Sequence, residues 1–113
     1  MPDDRWMNQI AVAITVTDAK GTITEMNPAS IATFASDGGA KLIGSDVFTC
    51  HPEPSRTKLA SMYKAQQPNH YTIRKNGRKK IIHQLPLFSD EVFRGYVEIS
   101  IPIPDDLPHF DRG

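Results

Sequence analysis

The sequence predicts a single α+β domain, and three observations carry that reading. Apolar residues alternate with period two at both ends of the chain, one amphipathic helical stretch lies between them, and turn residues separate the pieces. The first strand spans 10–16: Ile10, Val12, Ile14 and Val16 are apolar with Ala and Thr between them, which suits a strand with one deeply buried face. Asp18-Ala19-Lys20-Gly21 is a tight turn with Gly21 free to take positive φ, and Thr22 to Met26 alternates again, so the two runs make a hairpin. Pro28 fits the first turn of a short helix, because its missing N–H needs no partner there, and the Asn27 side chain can cap it. Ile31 and Phe34 share a face of that helix. Ser36-Asp37-Gly38-Gly39 breaks it, and Ala40 to Ile43 makes one more turn before Gly44.

Pro52 and Pro54 block regular helix until about Ser55. From there Leu59, Met62 and Tyr63 recur at spacings of three and four, with Arg56, Lys58 and Lys64 mostly opposite, so a helix of about three turns ends near Gln67-Pro68. The last third reads as strands over 70–75, 78–88 and 92–101. Asn76-Gly77 closes the first of these hairpins, since a type I′ turn needs positive φ at both central positions. In the last strand Val97, Ile99 and Ile101 alternate with Tyr96, Glu98 and Ser100, which places the apolar set toward a core and the other set toward water. Residues 1–9 read as an N-terminal cap segment, 10–101 as the domain, and 102–113 as a Pro-rich C-terminal tail.

The composition narrows the function. The 113 residues carry thirteen Lys+Arg against thirteen Asp+Glu, so neither a nucleic acid nor an anionic membrane surface has net basic charge to attract it. Arg74, Lys75, Arg78, Lys79 and Lys80 crowd the Asn76-Gly77 turn, where they serve as solvated charges guarding a strand edge. The apolar stretch Ile10 to Val16 is too short to cross a bilayer, no signal peptide precedes it, and the one cysteine, Cys50, has no intramolecular partner. A cytoplasmic location is the expectation.

Ala13 to Gly21, the following Thr22-Ile23-Thr24-Glu25-Met26-Asn27-Pro28-Ala29, and Leu42-Ile43-Gly44 resemble the opening hairpin, the Asn-Pro-Ala helix start and the turn before the main helix of PAS domains. The likeness runs from about Trp6 to Ile101. It implies a PAS-like α+β fold, a five-stranded antiparallel sheet with short helices packed on one face, and a pocket between sheet and helices that many members use for a sensed ligand. It further implies a bacterial regulatory protein whose partner is a kinase, a cyclase or a transcription regulator. Many sensor members end in an Asp-x-Thr element and a helical linker; Pro102-Ile103-Pro104 stands there instead, so no rigid helical relay is encoded.

Short helices pack a sheet incompletely, which favours a cavity apart from any resemblance. Phe34, Phe48, Cys50, His51, Leu59 and Met62 are its expected lining from the helical side, with His83, Leu85 and Ile99 from the sheet; a bulge near Pro86 would exchange His83 for Gln84. His51 is the residue to test as an axial haem ligand, the metal role the resemblance implies, although Pro52 and Pro54 set it ahead of the helix that carries this histidine in haem-binding members. A flavin is disfavoured, because Phe48-Thr49-Cys50-His51-Pro52 lacks the arginine and glutamine of light-sensing members. His51, His70, His83 and His109 look scattered, and no paired acid and base marks an enzyme. Trp6, Met7 and Ile10 offer a surface for packing on the sheet or against a second copy, which makes a homodimer the expected assembly. Two functions survive: a small-molecule sensing module that signals through protein contacts, and a ligand-free module for protein binding or dimerisation.

Overall fold

The structure, a computed structural model, describes residues 5–113. Five strands form one antiparallel sheet in the order β2-β1-β5-β4-β3: β1 is Ala13–Thr17, β2 Ile23–Met26, β3 Asn69–Lys75, β4 Arg78–Ser89 and β5 Val92–Pro102. The hairpin β1-β2 is folded beside the far end of the β3-β4-β5 meander, so the chain's first and last strands become neighbours. Between β2 and β3 run the helix α1, Pro28–Thr33, two 3-10 turns at Ala35–Asp37 and Gly39–Leu42, and the longer helix α2, Ser55–Ala65. All of these lie on one face of the sheet, the inner face. Among the described residues no helix is long and apolar enough to cross a membrane.

The turns form where the sequence demands them. Asn76 and Gly77 both have positive φ, as a type I′ hairpin requires. The Asp18 carboxylate accepts from the backbone N–H groups of Lys20 and Thr22, and closes the first hairpin. Gly21 is needed twice there: its φ is +89°, and a Cβ would lie 2.4 Å from the Phe48 ring. Gly95 is constrained more tightly still, for a Cβ on it would sit 2.0 Å from the Thr17 carbonyl oxygen where β5 passes the end of β1.

Asn27 joins three elements. Its side-chain oxygen accepts from Ser30 N–H, capping α1, and from Ile14 N–H of β1, while its amide donates to the carbonyls of Met7 and Val12. Every polar atom of this buried side chain is thereby used.

Two expectations are corrected by the sheet. Strand β1 begins at Ala13 rather than Ile10, which is exposed. The facing of β4 and β5 is also the reverse of the alternation argument. Tyr96 and Ser100 are buried beneath the helices, and Val97, Ile99 and Ile101 point to the outer face. Period two fixes which residues share a face, but only the covering layer decides which face is inside. Here the more polar set faces the helices. At the N-terminus, the described part of the expected cap forms a 3-10 turn over Trp6–Asn8, held by the Arg5–Glu25 ion pair, and Trp6 is 65% exposed. Residues 1–4 of that cap lie outside the described residues. Beyond Pro102 the tail carries no regular structure, and Leu107 and Phe110 are exposed.

Candidate functional site

Helix α2 stands away from the sheet, and the space beneath it is a cavity of about 520 Å³, within the range that drug-sized ligands occupy. Its standoff follows from its attachments. Leu59 and Met62 are half-buried, and Tyr63 is the helix's one buried residue. The Tyr63 hydroxyl shares a hydrogen bond with Thr17, and Tyr96 Oη lies 2.7 Å from the Met62 carbonyl and 2.8 Å from that of Gln67. Both ties hold the C-terminal half of α2. Its N-terminal half is tied to the preceding loop, where Arg56 Nε donates to the carbonyls of Phe48 and His51 and the Glu53 carboxylate accepts from Thr57. Those bonds from Thr57 hold the Glu53 carboxyl below the usual carboxylate range. An open groove between α2 and β3 shares His51, Leu59, Met62, Tyr71 and Gln84 with the cavity and forms its mouth.

The roof is mainly apolar, from Phe34, Leu42, Val47, Leu59 and Met62. Tyr63 closes one end in an aromatic cluster, with ring centroids 5.0 Å from Phe48, 4.7 Å from Tyr96 and 6.2 Å from Phe93. Burial pushes the phenols of Tyr63, Tyr71 and Tyr96 above the usual tyrosine range.

The floor is polar, and the ladder register builds it. Asn69 pairs with Gln84, Gln84 with Glu98, and Glu98 with Thr15, so four polar side chains form a row across β3, β4, β5 and β1. The Asn69 amide donates to Gln84 Oε1 at 2.8 Å, and the Gln84 amide donates to Glu98 Oε2 at 3.0 Å. Thr15 is hydrogen-bonded to Ser30. Gln84 is thus the hydrogen-bond partner of Glu98, and no cation pairs with this carboxylate among the described residues. Lys80 lies four residues along β4 from Gln84, about 13 Å away, and with Lys75 it lines the opposite end. The charge cluster at the hairpin tip is therefore divided: Lys75, Arg78 and Lys80 share the inner face, and Arg74 and Lys79 the outer.

Of the residues expected at the pocket, the structure brings Phe34, Cys50, His51, Leu59 and Met62 to the cavity wall. Phe48 packs on Gly21 and Tyr63 and does not line it. His83, Leu85 and Ile99 lie on the outer face, and Gln84, Glu98 and Ile82 take the inner positions, a correction with the same cause as the reversed facing above. Gln84, the expected alternative to His83, lines the cavity, while Glu98, Tyr71 and Tyr96 escaped the alternation reading because their polar ends marked them for water.

His51 Nδ1 donates to the Val47 carbonyl at 2.7 Å, which fixes the ring and leaves Nε2 as its uncommitted nitrogen. That arrangement suits an axial ligand, but the opposite wall does not suit a haem. A macrocycle laid on this floor would desolvate the Glu98 carboxylate without supplying it a donor or a counter-charge. The residues present do not fit the group.

No family model and no curated protein matches the sequence. Solved structures do. The chain is similar to a C-terminal domain from Streptococcus mutans, with TM-score 0.72 and 15% identity over 86% of this chain and 79% of that one. It is similar to the Aer2 receptor of Vibrio cholerae, a dual PAS-haem oxygen sensor, with TM-score 0.65 and 16% identity over 82% and 95% of the two chains. The PAS domain of Bordetella pertussis BvgS aligns with TM-score 0.58 and 16% identity over 88% and 82%. At such identities the likeness carries the fold: a PAS-like five-stranded antiparallel sheet with its helices on one face.

Proposed function

We propose that this PAS-fold chain is a non-enzymatic sensory module that binds a small amphipathic molecule under α2 and passes its occupancy on through protein contacts. The observation that carries the reading is the Glu98 carboxylate, set on the floor of a cavity with an apolar roof and given one hydrogen bond by Gln84. A carboxylate so placed selects a guest that presents an ammonium or N–H donor. Lys75 and Lys80, at the far end, suit an acidic or strongly accepting group on the same guest. Binding would alter the standoff of α2, whose hydrogen bonds to the sheet all lie at its C-terminal end, so a bound and a free conformation differ where a partner can read them. The PAS domain in the nitrogen regulation protein NR(II) of Vibrio parahaemolyticus supports a signalling context.

The test is a thermal-shift screen of amines, amino acids and related zwitterions against the full chain, with Glu98→Gln and Ile82→Trp beside it. Ligands that raise the melting temperature should do so at least tenfold less effectively in Glu98→Gln and less effectively in Ile82→Trp, which puts a larger side chain on the cavity floor. Absence of any shift, with native mass spectrometry finding no bound small molecule, would favour the ligand-free dimerisation module. A Soret band in the purified protein that disappears in His51→Ala would overturn the polar-ligand assignment in favour of haem.

The outer face of the sheet adds a second part to the reading. Ile81, Leu85, Val97, Ile99 and Ile101 form a half-buried apolar surface there, fitted to a second copy of the chain.

A further inference from the structure

His70 and His83, far apart in sequence, face each other directly across β3 and β4 on the outer face. Their Nδ1 atoms are 2.8 Å apart, the rings stand edge to face with centroids 5.0 Å apart, and no other strand separates the pair from solvent on the β3 side, where β3 is the sheet edge. One ring donates its Nδ1–H to the other, so a proton now occupies the space between two nitrogens that are both good metal ligands.

We propose that this pair is a two-histidine site for a divalent transition metal of tetragonal preference, Cu²⁺ above all. The present separation is that of the Nδ1–H···Nδ1 hydrogen bond, so a metal that takes the proton's place must turn both lone pairs toward itself, and the ion favoured is the one that asks for least widening of the pair. Two metal–nitrogen bonds of about 2.0 Å meeting at a right angle span about 2.8 Å, the separation present, whereas tetrahedral Zn²⁺ with bonds of about 2.0–2.1 Å needs nearer 3.3 Å. Imidazole also ranks Cu²⁺ highest among the first-row divalent ions. Both rings are neutral when they ligate through Nδ1, each keeping its proton on Nε2. The ring that donates in the free protein therefore moves its proton from Nδ1 to Nε2 through solvent, with no net release.

Among the described residues no group of three histidine, cysteine or acidic side chains converges, so the remaining two equatorial positions fall to water or buffer ligands entering from the open edge. Ile99, Ile81 and Leu85 border His83 on its other sides and offer no competing donor. The pair spans the edge strand whose inner side chains, Tyr71 and Ile73, wall the cavity, so a bound ion clips that wall to β4. The site itself is independent of what the cavity holds.

The experiment uses the full chain after chelator treatment and dialysis, titrated with copper(II) chloride by calorimetry and electron paramagnetic resonance. One ion should bind per chain, with nitrogen hyperfine structure from two imidazoles. His70→Gln and His83→Gln should each weaken binding at least tenfold, and Zn²⁺ should bind at least tenfold more weakly than Cu²⁺. His109→Gln, in the tail, should change nothing. Circular dichroism of both variants guards against unfolding, and His70→Gln, at the exposed edge, is the one least able to disturb the core. Copper binding that survives in the double variant, or a spectrum with a single nitrogen ligand, would overturn the assignment.

Discussion

Tyr63 is where helix α2 meets the sheet, through its shared hydrogen bond with Thr17, whose oxygen lies 3.3 Å from the backbone N–H of Tyr96. Tyr63→Phe keeps the ring contacts with Phe48 and Tyr96 and removes this bond alone, so it should cost about 1 kcal/mol in denaturant unfolding near neutral pH. The pH dependence has a definite sign. Burial raises the Tyr63 pKa on folding, so its contribution is fully present below the ordinary tyrosine range and is lost as pH rises through the raised value. The gap between wild type and Tyr63→Phe should therefore narrow at alkaline pH, because only the wild type must ionise a buried phenol at that position; a gap independent of pH would contradict the assignment. Residues such as Asn27 were legible in the sequence as caps, since Asn-Pro before an apolar spacing has one dominant use. That the same amide also ties Met7 and Val12 was not, because those partners come from chain segments twenty and fifteen positions away.

At the scale of elements, the hairpins show how far local chemistry reaches. Asn76-Gly77 set the β3-β4 turn, and with it the whole register: six residues out on either side stand His70 and His83, seven out stand Asn69 and Gln84. The histidine pair was in this sense written in the sequence, and the scattered reading of the four histidines missed it by weighing separation along the chain instead of distance from the turn. The β4-β5 turn is made from poorer material. Asp90 and Glu91 both hold positive φ, at 52° and 65°, a conformation that costs a side-chain-bearing residue roughly 1–2 kcal/mol and that glutamate has no special means to offset. Glu91→Gly should relieve that strain, less the entropy glycine gains in the unfolded chain, for a net stabilisation of about 0.5–1 kcal/mol. Thermal unfolding checks it, with a rise of a few degrees in the midpoint expected and a fall contradicting the turn geometry.

For the whole molecule, the reversed facing of the sheet is the consequential result. Alternation in β5 separated Val97, Ile99 and Ile101 from Tyr96, Glu98 and Ser100 correctly, but hydropathy then sent the wrong set inward, because a ligand-sized cavity does not need the apolar face that a solid core needs. The outer face carries the sheet's most apolar set, Val97, Ile99 and Ile101, only half-buried, and the N-terminal turn at Trp6–Asn8 is held at Glu25 of β2 and leaves Trp6 exposed. A second copy would cover that surface with its own equivalent, as an isologous pairing requires. Ile99 sits at its middle, between Ile14 on β1 and His83 on β4. Ile99→Lys places a charge at the centre of the proposed contact without entering the cavity, so it should convert a dimer into a monomer while leaving the thermal-shift response to cavity ligands intact. Sedimentation velocity over a hundredfold concentration range reads the first effect. A wild type that stays monomeric at the highest concentration would remove the second copy as the covering layer and leave that face to a different protein.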